Sequence, residues 1–297
     1  MAATIRPRRS VLYVPGSNAR ALEKARGLPA DALILDLEDA VAPDAKVAAR
    51  QQIAEALAAG DYGKREILVR VNGLDSDRGH DDVAAIAKSG ADAILLPKIE
   101  GAEMVREAEA LMVACDAPSE MAIWCMIETP LGVLHAEEIA WGSSRLGGLV
   151  MGTSDLAKDL HCLHTPDRLP VVTSLSLCIL AARAHGLAIL DGVHLDLDDD
   201  EGFAASCRQG LAFGFDGKTL IHPRTIDEAN AVFAPSADEL DWSERIIAAH
   251  AEAADQGQGV VVVDGRLVEN LHVENARRIL SLAAMITELE SASGSGR

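Results

Sequence analysis

The sequence predicts a parallel (β/α)8 TIM barrel followed by a C-terminal extension of helices and a hairpin. Three observations carry this. Eight short apolar, β-branched runs recur, most of them followed by a stretch rich in Ala, Leu, Glu and Arg at helical spacing. The runs are continuously apolar, the pattern of strands covered on both faces. The eight units occupy about 225 residues, close to the size of such a barrel. A doubly wound sheet also alternates strands and helices, but its usual early GxGxxG turn is absent and six strands is its commoner count.

Taken in order, the strands are expected at 11–14, 32–37, 67–71, 93–97, 122–127, 149–151, 188–193 and 218–221. The first ends at Pro15-Gly16, the fourth reaches Pro97, the sixth ends before Gly152 and the eighth stops at His222-Pro223, all turn-forming residues. Helical spacing predicts helices over 19–26, 46–58, 81–89, 104–115, 174–185 and 201–212. From Ile226 the pattern changes to helices over 227–232 and 238–255 and a Gly-flanked hairpin over 257–266 with an Asp-Gly turn. A last amphipathic helix follows over 273–289. The expected division is a barrel over 1–225, an extension over 226–290 that packs on the barrel or a neighbouring subunit, and a small, polar, disordered tail over 291–297. An element outside a closed barrel needs something to cover, which argues for a homo-oligomer.

Composition narrows the function. The 297 residues carry 27 Lys+Arg against 46 Asp+Glu, a net charge of −19. That balance argues against nucleic acid or an anionic membrane surface as partner, because both need a basic face. It leaves room for anionic small molecules, which respond to local charge. No run approaches the ~18 apolar residues of a membrane span, and the apolar stretch after the basic N-terminus is too short for a secretory signal. Five cysteines, at 115, 125, 162, 178 and 207, form no CxxC pair and read as reduced cytoplasmic thiols.

Barrel chemistry sits at the C-terminal strand ends, and these are polar. They carry Asp36-Leu37-Glu38-Asp39, Arg70-Val71-Asn72, Lys98, Glu100, Glu128-Thr129, Asp155, Asp191 and His222-Pro223. Carboxylates on strands two, five, six and seven form an expected ring. Converging carboxylates repel unless neutralised, and hard oxygen ligands suit an octahedral Mg²⁺ that keeps waters or substrate in its shell. Glu128 and Asp155 are the expected metal ligands; the alternative is that Glu128 caps the next helix and Asp155 makes a turn. Arg70 interrupts an apolar strand and requires an anion, either a substrate carboxylate or a protein one such as Asp36 or Glu38. The Asp36–Asp39 run reads either as orienting metal-bound water or as a solvated loop. His161 and His164 read as a chance surface pair.

These residues resemble a known family. RRSVLYVPGSNARALEKA, DALILDLEDAV, LVRVNG, AILLPKIE, MIETPLGV, LVMGTSDLAKDL and DGKTLIHP follow the order found in the citrate lyase β-subunit/malyl-CoA lyase family, within the HpcH/HpaI aldolase/citrate lyase superfamily. The resemblance covers about residues 8–285. It implies a Mg²⁺-dependent (Mn²⁺ also suits) barrel enzyme acting on CoA thioesters of 3-hydroxy acids, with coenzyme A as part of the substrate. The leading expectation is a carbon–carbon lyase that reversibly cleaves (S)-malyl-CoA to acetyl-CoA and glyoxylate, a 2-oxo acid. The alternatives are an (S)-malyl-CoA thioesterase, a citrate lyase β subunit, or a citramalyl-CoA lyase.

By position the resemblance makes Glu128 and Asp155 metal ligands, Arg70 the arginine that grips the small acid, and Glu38 and Asp39 the acidic pair near metal-bound water. Tyr13, Arg20 and Lys24 fall in the segment that holds the CoA phosphates, and Pro223 lies beside the pantetheine path. Arg8, Arg9 and Arg26 complete an expected basic cluster with Arg20 and Lys24. The family also implies a trimer or hexamer. One position departs: the lyases carry an aspartate after the C-terminal hairpin, reaching an adjoining subunit's site, whereas this chain has Glu269. An extra methylene moves the carboxylate by about 1 Å, a shift that costs ~10²-fold where geometry matters. The departure sets lyase activity against the alternative in which the carboxylate, alone or with Asn270 or His272, orients water toward the thioester carbonyl.

Overall fold

The computed structural model describes residues 6–294. The chain divides into two compact units, one spanning residues 8–233 and the other residues 234 onward together with 6–7. The first unit alternates β1 (Ser10–Pro15), α1 (Ala19–Ala25), β2 (Ala32–Asp36), α2 (Lys46–Ala59), β3 (Glu66–Arg70), α3 (Gly79–Ile86), β4 (Ala93–Leu96), α4 (Ala102–Ala114) and β5 (Ala122–Ile127). It continues with α5 (Pro130–Leu134), α6 (Ala136–Ala140), β6 (Leu146–Met151), α7 (Thr153–Asp159), α8 (Val172–Ala184), β7 (Ala188–Asp191), α9 (Asp200–Phe213), β8 (Gly217–Leu220) and α10 (Ile226–Phe233). Neighbouring strands pair in parallel, and β8 closes on β1 through Lys218–Ser10, Thr219–Val11 and Leu220–Leu12. The expected (β/α)8 barrel is therefore present, with all eight strands where the apolar runs lie.

Side chains alternate along each strand. Val11, Ala32, Ile34, Leu68, Ala93, Leu95, Trp124, Met126, Val150 and Leu190 fill the barrel interior. Their neighbours Leu12, Leu33, Leu35, Val69, Ile94, Ile123, Cys125 and Ile189 pack outward in the larger cluster with helix residues such as Leu22 and Ile53. Both faces are apolar, which is why the strands read as unbroken runs. The Trp124 indole is fully buried, and a Cβ at its register partner Gly148 would lie 2.5 Å from the ring, so only glycine fits there.

Two boundaries differ from expectation. Helix α10 belongs to the barrel unit, which runs to Phe233 rather than ending at 225. Its Ile226, Ala229 and Phe233 are buried, and Asn230 accepts a 2.7 Å hydrogen bond from the Ser10 hydroxyl at the start of β1. It is the eighth barrel helix, opened by the 3-10 turn Pro223–Thr225.

The second unit holds α11 (Ala237–Asp255), a hairpin of β9 (Val261–Val263) and β10 (Arg266–Val268), and α12 (Asn270–Gly294). A reciprocal Ser236/Glu239 capping box starts α11. Asp264 and Gly265 take positive φ of 49° and 76°, as a two-residue hairpin turn requires. Buried Ile246, Val268, Val273 and Ala276 form its core. The second difference is at its end: residues 291–294, expected to be disordered, continue α12, where the Ser291 hydroxyl bonds back to the Glu288 carbonyl at 2.9 Å. Residues 295–297 of that expected tail lie outside the described residues. Among the described residues no helix is long and apolar enough to cross a membrane.

Candidate active site

The alternation that builds the core also assembles the site. Tyr13, Asp36, Arg70 and Glu128 each lie two residues beyond an interior position, Val11, Ile34, Leu68 and Met126 respectively, at the C-terminal end of the barrel. Arg70 meets the protein carboxylate among its two alternatives. Its Nε and Nη2 donate to the two Asp36 oxygens at 2.7 and 2.6 Å, a bidentate pair buried on both sides. Nη1 donates to the Met126 sulfur at 3.7 Å and lies 2.9 Å from Glu38 Oε2 and 3.8 Å from Asp39. The guanidinium stacks 4.9 Å from the Tyr13 ring centre. Asp36 therefore fixes the guanidinium fork and leaves the Nη1 edge facing the acidic loop.

That loop is ordered from both sides. Asp36 accepts the backbone N–H of Glu38 and of Ala40, each at 2.9 Å. Lys46 donates to the Leu37 and Glu38 carbonyls at 2.9 and 2.8 Å and to Asn72 Oδ1 at 2.7 Å. Asn72 is held in turn by Asp82, which Arg50 pairs at 2.6 Å. The run over 36–39 is thus a braced arm rather than a solvated loop, although the Asp39 carboxylate itself is mostly exposed. Burial raises the Glu38 pKa; Arg70 opposes the rise and Asp39 adds to it. The Glu38 Oε2–Arg70 contact is an ion pair without hydrogen-bond alignment, so this buried oxygen still lacks a hydrogen-bond donor.

Opposite the arm, Glu128 is 2% exposed. It does not cap the following helix; Thr129 does, through its hydroxyl to the Gly132 N–H at 3.0 Å. Glu128 Oε1 accepts the Lys98 backbone N–H at 2.8 Å, and no cation among the described residues forms an ion pair with it. Burial pushes its pKa up to about 7, with Glu38 and Asp155 adding to the rise. Gly152 makes room for it, since a Cβ there would sit 2.3 Å from Glu128 Cβ. Asp155, in the first turn of α7, is part-exposed, with Lys158 at 3.8 Å. Lys98, at positive φ, places Nζ 3.5 Å from Glu38 Oε1. Burial disfavours its charge, but Glu38, Asp39, Glu128 and Asp155 together hold its pKa above the ordinary lysine value.

Other expected members lie elsewhere. Asp191 does not join the carboxylate ring. It follows interior Leu190 by one residue, so it points outward, where Lys218 at 2.9 Å and Arg168 at 2.7 Å neutralise it. The basic cluster is likewise divided. Arg8 pairs with Glu66 and Arg9 with Asp31 at the N-terminal rim of the barrel, and Arg26 pairs with Glu23. Arg20 and Lys24 are exposed on α1. Tyr13 lies under Arg70 within the barrel, and burial raises its pKa. Pro223 begins the turn after β8. His161 and His164 are exposed, as a chance surface pair would be. Glu269 belongs to the second unit, just after β10, where its backbone N–H donates to His272 Nδ1 at 3.1 Å.

The donors suit a hard divalent cation: a buried carboxylate without a cation partner, a part-exposed second carboxylate, and an unsatisfied Glu38 oxygen. Among the described residues no group of three or more His, Cys, Asp or Glu is arranged as a metal cage. A two-carboxylate site completed by water and substrate is the fitting form.

Comparison with known proteins gives this geometry a family. Residues 9–223 match HpcH/HpaI aldolase/citrate lyase. The chain belongs to this family. Within it, the (3S)-malyl-CoA thioesterase of Cereibacter sphaeroides is 53% identical over 286 residues, covering 96% of this chain and 98% of that protein. The citrate lyase subunit beta of Leuconostoc mesenteroides subsp. cremoris is 38% identical, covering 94% of each. Among solved structures, the CitE protein of Mycobacterium tuberculosis in complex with magnesium, acetoacetate and coenzyme A matches with a TM-score of 0.74 at 29% identity, covering 94% of this chain and 98% of that one.

Asp36 is one of the two protein partners that the sequence offers for Arg70, and its register pairing with Arg70 across β2 and β3 favours it. Lys46 as the brace and Lys98 as the cation beside the arm are not assigned these roles from sequence.

Proposed function

We propose that this chain is a divalent-metal-dependent hydrolase of (3S)-malyl-CoA, releasing malate and free CoA. The observation that carries the reading is the 53% identity, over nearly the full length of both chains, to proteins named for that activity. Glu269, where the family's lyases are expected to carry aspartate, supports it. The resulting assignment is specific. Glu128 and Asp155 hold Mg²⁺, and Mn²⁺ suits the same donors. A bound divalent cation supplies a Lewis acid that polarises a carbonyl oxygen.

The remaining work falls to the chain's own side chains. The Nη1 edge of Arg70, aimed by Asp36, stabilises the oxyanion formed at the thioester carbon. Glu38 and Asp39 accept hydrogen bonds from water on the same side. Glu269, from a neighbouring copy in a trimer or hexamer, takes the proton of the attacking water. The water oxygen bonds to the carbonyl carbon, the C–S bond breaks, and the proton ends on the CoA sulfur. Exposed Arg20 and Lys24 meet the CoA phosphates, with Pro223 beside the pantetheine arm and Tyr13 forming the floor under Arg70. Five free thiols favour a reducing, cytoplasmic setting.

The carbon–carbon lyase is the second reading, supported by the same arginine and acidic pair, which would serve equally at an enolate. The likeness to citrate lyase subunit beta supports a third, in which acyl carrier protein delivers the substrate. One assay separates them: protein, Mg²⁺ and (S)-malyl-CoA, with malate, CoA, glyoxylate and acetyl-CoA measured separately. Malate with CoA is expected. Glyoxylate with acetyl-CoA would establish the lyase, and no turnover without an acyl carrier protein partner would favour the citrate lyase subunit. Glu269→Ala is expected to abolish turnover while retaining CoA-ester binding; an unchanged kcat removes Glu269 from the mechanism.

A further inference from the structure

The acidic mouth holds more negative charge than its arginine can neutralise. Asp36 takes the Arg70 fork, so Glu38, Asp39, Glu128 and Asp155 share the Nη1 edge and whatever other cation is present. Lys158 lies at the exposed Asp155 edge, and the cation that reaches the acidic arm is Lys98. Its residue takes a positive φ of 49°, a conformation that costs a non-glycine residue and that persists where surrounding contacts demand it. Two contacts accompany it here. The backbone N–H of Lys98 donates to Glu128 Oε1 at 2.8 Å, and its ammonium reaches Glu38 Oε1 at 3.5 Å. One residue thereby spans the two sides of the mouth, touching Glu128 with its backbone and the acidic arm with its side chain. The side chain is half exposed, so the ammonium is free to leave without disturbing the core.

We infer that Lys98 is a built-in counter-cation that competes with the divalent metal for the acidic mouth. In the metal-free protein the ammonium offsets the carboxylate repulsion. A divalent cation on Glu128 and Asp155 does so more strongly, repels the ammonium and displaces it toward solvent. Lys98 is thus a positioning residue that sets how much metal the site needs. The inference rests on the metal assignment above and is independent of which bond the enzyme cleaves.

The linkage is reciprocal: a group that stabilises only the metal-free state weakens metal binding by the same factor. The test is Mg²⁺ titration of the full chain by calorimetry, without substrate, for wild type, Lys98→Gln and Lys98→Arg. Lys98→Gln is expected to bind Mg²⁺ tighter by on the order of tenfold, and Lys98→Arg to stay near wild type. In thermal melts, Lys98→Gln lowers the Tm of the metal-free protein and enlarges the Mg²⁺-induced rise. An unchanged or weaker Mg²⁺ affinity in Lys98→Gln overturns the inference, as does the absence of binding in all three proteins, which also removes the metal site. Tighter binding in a protein that does not hydrolyse malyl-CoA would sink the thioesterase reading alone.

Discussion

Glu128 and Asp191 are both buried carboxylates at the C-terminal ends of barrel strands, and their surroundings are opposite. Asp191 receives Lys218, Arg168 and the Gly192 N–H, each within 3 Å. Glu128 receives one backbone N–H. The first is compensated and serves packing between β7, β8 and the outer helices. The second is buried at a cost that a bound cation would offset. Burial alone does not mark a site; burial without compensation does. The barrel's two rims repeat the contrast, since Arg8–Glu66 and Arg9–Asp31 pair off at one end while carboxylates exceed cations at the other.

Removal of Asp191 should have the largest effect. Asp191→Ala would strand Lys218 as a buried, uncompensated cation and leave part-buried Arg168 with only Gln209, at about 3–5 kcal/mol of stability. Chemical denaturation should show that loss; one below about 1 kcal/mol would mean the cluster is not the structural element described. Glu128→Gln should behave in the opposite way. The metal-free protein should lose no stability, whereas turnover should fall roughly 10²-fold or more, about 3 kcal/mol of transition-state stabilisation. Full activity in that variant would remove Glu128 from the metal site.

The smallest effect is on pH. The Glu128 pKa, pushed up by burial to about 7, exceeds its unfolded value, so the native state holds an extra proton between the two. Its contribution is most favourable below the unfolded pKa, near 4.5, and is lost as pH rises through about 7. Metal-free protein should lose about 1 kcal/mol between pH 6 and pH 8 relative to Glu128→Gln. Mg²⁺ affinity should rise over the same interval and level off above it. Equal pH slopes in melts of the two proteins in EDTA would contradict the assignment.

The eight-strand barrel is legible in the amino-acid pattern, because strands covered on both faces stay apolar without interruption and are easily counted. The same pattern shows which residues end those strands, hence Arg70, Glu128, Glu38 and Asp155 as candidates. It does not show which face each one serves. The uniform apolar pattern that reveals such strands also hides their parity, since inward and outward positions look alike. The folded barrel alone shows that Asp191 turns outward to Lys218, that Asp36 meets the Arg70 fork, and that Arg8 and Arg9 pair off at the far rim. These are contacts between residues 22 to 58 positions apart. Which carboxylates remain unpaired depends on partners that only the closed barrel brings within reach.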